Sequence, residues 1–122
     1  MPPRRRIRPE QGASALGRYA AGEQDKQVIA TAVRYTLEEL MTRAPGRSVE
    51  VRVPPFGAIQ CIEGPTHTRG TPPNVVETDA VTWLGLVTGQ TDWTQARDQG
   101  SIRASGNRAD LDDYLPLFET KA

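Results

Sequence analysis

The residues able to do chemistry are few and sit mid-chain. The single cysteine, Cys61, and the single histidine, His67, have Glu63 between them. Three kinds of chemistry can be asked of such a group. The first is metal binding. On a strand, Cys61 and Glu63 would share a face, but a structural zinc needs four ligands and a catalytic one three plus water. One Cys and one His leave that set short, so no metal is expected. The second is nucleophilic catalysis by Cys61 with His67 as base, which needs an exposed, low-pKa thiolate. Cys61 lies between Ile59, Gln60 and Ile62 in mid-strand, where burial raises a thiol pKa instead. No Gly-x-Ser-x-Gly turn offers a serine alternative. No catalytic residue and no cofactor are expected.

The third is capture of an anion. Gly64 to Pro73 holds His67, Arg69, hydroxyls at Thr66, Thr68 and Thr71, and Gly70. Arginine presents a planar fork that fits carboxylate or phosphate. Glycine lets backbone amides point at a ligand. Prolines at both ends of the loop limit its freedom, so binding would lose less ordering entropy. The bland alternative has Arg69 paired with Glu63 or Glu77 and His67 merely packed; both stay open. Trp83 and Trp93 either line a pocket or close the core, and the core has the stronger claim because tryptophans dominate core area in small domains. The candidate ligand-binding set is His67, Arg69, Gly70, Thr71, Trp83 and Trp93.

These side chains need a scaffold. Residues 12–22 carry Ala13, Leu16 and Ala20 at helical spacing, ended by Gly22. Residues 24–43 repeat Val28, Ile29, Ala32, Val33, Thr36, Leu37, Leu40 and Met41 at three- and four-residue steps, one apolar stripe packing on a sheet. Arg34 and Glu38 should pair on the other face, and Pro45-Gly46 stops the helix. Ser48 to Val53 alternates, valines inward, Glu50 and Arg52 to water. Pro54-Pro55 ends that strand. Phe56 to Glu63 follows as its antiparallel neighbour; apolar residues on both faces place it centrally. Asn74 to Glu77 is a third strand. Asp79 caps a helix with Ala80, Val81, Leu84 and Val87 inward and Gly89 as its stop. Asp92-Trp93-Thr94-Gln95 has capping-box spacing and opens a short helix to Gly100. Ile102 and Ala104 mark a short strand. From Asn107 a last helix presents Leu111, Tyr114, Leu115 and Phe118, with Pro116 ending or bending it near Leu115.

Composition limits the rest. The 122 residues make one domain, and 37% hydrophobic content permits a real core without surplus. Lys plus Arg and Asp plus Glu are 15 each, so no global field recruits nucleic acid or a membrane surface. A lone cysteine excludes an internal disulfide and suits a reducing cytoplasm. No apolar run reaches the roughly 20 residues that span a bilayer. The first residues lack the apolar segment of a secretory signal. Residues 1–11, rich in proline and arginine, read as a flexible basic arm, 12–118 as the single domain and 119–122 as a tail.

The motifs in these elements resemble the sterol-carrier-protein family. Its C-terminal pattern is matched by Asp79, Trp83-Leu84, Gly89, Ala96, Gly100, Ile102, Ser105-Gly106, Leu111 and Leu115. The middle of the chain, at residues 51–57, 60–65 and 67–79, is similar to small actinobacterial "bacterial sterol-carrier-protein orthologue" proteins. The likeness covers about residues 12–118. It implies an α/β fold of the α+β type: a mixed, mainly antiparallel sheet, helices packed on one face, and often an apolar tunnel between the two. The same fold forms the C-terminal domain of mycothiol-dependent maleylpyruvate isomerases. Two Phe and two Met are few for lining a lipid tunnel beyond the core, so the word "sterol" does not transfer. The expected role is a non-enzymatic module for a small hydrophobic or amphipathic ligand. The alternative is an accessory domain offering a surface to a protein partner.

Overall fold

The computed structural model describes residues 6–65 and 73–118, which form four α-helices and one four-stranded sheet. Helix α1 (Pro9–Ala20) starts earlier than expected, because Pro9 sits in the first turn, where a missing N–H leaves no bond unmade. Residues 9–11, expected in the basic arm, are thus part of a helix. Arg6 and Ile7 are also held, each donating its amide to Glu38 Oε1 at 3.0 Å.

Helix α2 (Lys26–Arg43) is capped by Asp25, whose carboxylate accepts the Gln27 amide. Its stripe buries Val28, Ala32, Val33, Thr36, Leu37 and Leu40, with Ile29 and Met41 half-buried at the margin. Arg34 and Glu38 do not form the expected pair. Arg34 Nε donates to the Phe56 carbonyl at 2.9 Å, and Glu38 takes the two amides. An exposed i,i+4 pair is worth only about 0.2–0.5 kcal/mol. A carboxylate as buried as Glu38, 8% exposed, needs close hydrogen-bond donors.

Strands β1 (Val49–Val53), β2 (Gly57–Cys61), β3 (Asn74–Thr78) and β4 (Ile102–Ser105) lie in the order β2-β1-β3-β4. β1 runs antiparallel to β2 and parallel to β3, and β3 runs antiparallel to β4. The sheet is thus mixed and mainly antiparallel, as expected. β2 is an edge strand, not a central one, since β1 gives its other side to β3. Along the inner face Val49, Val51, Val53 and Val76 are buried in one core with the helices. On the outer face the register sets Arg52, Glu77 and Arg103 opposite one another across three strands, a favourable cross-strand order of charge.

Helix α3 (Ala80–Thr88) has Asp79 as cap, accepting the Thr82 amide at 2.7 Å, and ends at left-handed Gly89. Its buried face is Trp83, Leu84, Leu86 and Val87, whereas Val81 is 66% exposed. The inward register is therefore turned from the expected one so that the indole enters the core. Trp83 Nε1 donates to Thr36 Oγ1 at 2.8 Å, tying α3 to α2. Helix α4 (Trp93–Asp98) is capped by Asp92.

After β4 the expected helix is absent. Only a 3₁₀ turn, Asp112–Tyr114, forms. The Asp110 side chain takes the Asp112 amide, and Leu115 is extended ahead of Pro116. Leu111 and Leu117 are buried while Tyr114 is exposed. The segment is held from outside instead. Leu117 and Phe118 donate their amides to the Val87 carbonyl. Phe118 stacks on Tyr35 with ring centres 5.8 Å apart, beneath the Arg43 guanidinium.

Candidate functional site

Helix α2 packs on the inner face of the sheet, and among the described residues nothing closes the gap beyond the outer edge of β2. There an open groove of about 1080 Å³ runs between α2 and β2. Its apolar lining comes from Leu37 and Met41 on the helix and from Phe56 and Ile59 on the sheet side, with Ile7 from the N-terminal segment. Helical spacing puts Leu37 and Met41 on one line, and the turn at residues 54–56 brings Phe56 to the groove just ahead of β2. The polar lining is Arg6, Arg34, Arg47, Glu38 and Gln60. Arg47 Nε donates to Gln60 Oε1 at 3.3 Å.

One end of the groove is also the root of the loop expected to bind anions. Gly46 lines the groove, and a Cβ there would overlap the Ile62 carbonyl and the Glu63 nitrogen, so only glycine permits this approach. Ile62 itself has φ 65, a left-handed conformation that a β-branched residue rarely adopts. Three bonds hold it there. Its amide donates to Ala44 O at 2.6 Å, and its carbonyl accepts from the Ser48 amide at 3.1 Å and Ser48 Oγ at 2.6 Å. On the far side of the loop, buried Asn74 donates Nδ2 to Ser48 O and accepts the Arg108 amide at Oδ1, both at 2.8 Å. The loop's two stems are fixed to the same end of the sheet.

His67, Arg69, Gly70 and Thr71 lie outside the described residues. Trp83 and Trp93 are buried in the core and line neither the groove nor a smaller recess of about 210 Å³ between α1 and α2. Trp93 Nε1 is a buried donor without a partner among the described residues. Cys61 is fully buried at the inner end of β2, and loss of solvent pushes its thiol up to about 12. Among the described residues no group of three or more His, Cys, Asp or Glu could hold a metal.

Sequence reasoning missed the groove itself. Two signals pointed to it. Phe56 and Ile59 gave the second strand more apolar surface than a half-covered strand needs, which was read as centrality. Met41 lay at the margin of the α2 stripe, where a side chain faces past the sheet's edge.

No curated protein gives a significant match to the chain. The sequence profile of a family described as Bacterial SCP ortholog matches residues 25–117, from the cap of α2 to the last buried leucine. With its helices on one face of a four-stranded mixed sheet, the chain belongs to that bacterial sterol-carrier-protein (SCP) ortholog family.

Proposed function

We propose that this protein is a non-enzymatic binding module that holds a small amphipathic, lipid-like ligand in the groove between α2 and β2. The groove is the observation that carries this reading. Its apolar lining matches a hydrocarbon part, and its Gly46–Arg47 end meets the stem of the loop bearing His67, Arg69, Gly70 and Thr71, which would receive the polar head. Trp83 then acts behind the site, bonded to α2 at Thr36, and Trp93 belongs to the same buried core. Family membership supports a carrier of lipid type. The raised pKa of buried Cys61 argues against thiol catalysis. The buried thiol also fits a reducing cytoplasm, and no helix among the described residues is long and apolar enough to cross a membrane.

Titration of isotope-labelled protein with dodecanoate and with an acyl-CoA tests the reading. Amide shifts are expected at residues 34–47 and 57–72, with 102–105 on the far strand unmoved. An unchanged spectrum in the first two regions would overturn it.

A further inference from the structure

The groove has a charge imbalance that the chain as a whole lacks. Basic and acidic residues are 15 each overall, yet three arginines and one carboxylate line the groove. That carboxylate, Glu38, already accepts two amides. Among the described residues, Arg18, Arg43, Arg52 and Arg97 have carboxylate partners. Arg34 and Arg47 are bonded to neutral oxygens instead, at Phe56 O and Gln60 Oε1. In both cases the donor is Nε. Such a tether orients the guanidinium and leaves its outward pair of Nη donors for another acceptor.

The two anchors stand at opposite ends of the edge strand. From Phe56 to Gln60 an extended chain covers about 13 Å at roughly 3.3 Å per residue. Between them the groove is lined by Leu37, Met41 and Ile59, and by Glu38, whose Oε1 is taken by the Arg6 and Ile7 amides. The site therefore has a cation at each end and hydrocarbon in the middle. A neutral ligand would leave both guanidinium forks unused, and a ligand with one anionic end would use one of them.

We infer that the groove accepts an elongated dianion, with a hydrocarbon middle and a carboxylate or phosphate at each end, one held by Arg34 and the other by Arg47. This rests on the binding-module reading and narrows its ligand class. Each end would be gripped bidentately, the geometry in which arginine outperforms lysine. The positive field of the cleft would also draw the ligand in, an effect that salt weakens.

Calorimetric titration of the full chain with dodecanedioate, dodecanoate and dodecanol decides it. The diacid is expected to bind about tenfold tighter than the monoacid, the gain from one more charge-assisted contact. Arg34→Gln and Arg47→Gln should each bring the diacid to within about twofold of the monoacid. Arg103→Gln, an exposed arginine outside the groove, should change nothing, and dodecanol should respond to none of the three. Equal affinity for diacid and monoacid, or indifference to both groove variants, would overturn the dianion while leaving an amphiphile carrier standing. No binding of any of the three probes would remove both readings. Tighter capture of an extended acidic peptide than of dodecanedioate would also overturn it, in favour of a strand added along the open edge of β2.

Discussion

Cys61 is reactive in atom type and inert in place. Its side chain sits in the core, and loss of water around the thiolate holds the thiol up to about 12 against an ordinary 9.0. Alkylation at neutral pH should therefore proceed only through opening of the fold, and its rate should follow added urea. Linkage gives a second readout. Between about pH 9 and pH 12 the unfolded chain has lost this proton while the folded one keeps it. The native state binds more protons there, so stability falls as pH rises, by up to about 1.4 kcal/mol per pH unit. Below that window the contribution is fully present. Cys61→Ala should flatten the slope between about pH 9 and pH 11 relative to the natural chain, measured as the urea midpoint. An identical slope would mean that solvent reaches the thiol. This much was legible in the sequence, because a cysteine in mid-strand close to Ile59 and Ile62 is more often a small buried hydrophobe than an exposed thiolate. The partners of Arg34 and Glu38 were not legible. They come from Phe56 and from the N-terminal segment, brought in by tertiary contact.

At the scale of elements, α1 offers two glycines with opposite surroundings. A Cβ on Gly12 would overlap the Tyr35 ring, so α1 and α2 meet there with backbone against an aromatic face. A Cβ on Gly17 would meet nothing within 4 Å. Alanine at Gly17 should gain the helix-propensity difference, about 0.8–1 kcal/mol. Alanine at Gly12 gains the same propensity but forces an overpacked contact costing about 1–3 kcal/mol, a net loss. The two variants should move the thermal midpoint in opposite directions. A shift of the same sign for both would show that α1 does not dock through Gly12. Elements with local punctuation were readable in just this way. Asp79, Gly89 and Asp92 each perform the capping or stopping role their type and position announce. The last helix was misread because a leucine pattern with three nearby aspartates and Pro116 satisfies the spacing test without enough residues to propagate a helix. Val81 was misread because a short, nearly all-apolar helix does not reveal which face turns inward; the hydrogen bond from Trp83 to Thr36 settles it.

At the scale of the molecule, the strand order gathers distant parts of the chain at one end of the sheet. The end of β2 and the start of β3 both lie beside the start of β1, so Ala44, Ser48, Ile62, Asn74 and Arg108 become neighbours there. No sequence pattern announces that meeting, and this is why the loop was legible as a candidate while the groove beside it was not. Asn74 is the joint. Its amide donates to Ser48 O and its carbonyl accepts the Arg108 amide, so one side chain ties β3 to the start of β1 and to the segment after β4. Asn74→Asp keeps the shape and the acceptor for Arg108. It removes the donor and sets a carboxylate oxygen against the Ser48 carbonyl in a site only 4% exposed. Leaving that carbonyl unpaired costs about 1–3 kcal/mol, with desolvation of the new charge added. The urea midpoint should fall, and part of the loss should return at low pH, where a protonated carboxyl can donate again. Amide exchange should quicken at residues 48 and 62 and on the loop between β2 and β3, while the far strand end at 53 and 78 stays protected. Equal loss of protection at both ends of the sheet would show that Asn74 supports the whole core and not the loop's stems in particular.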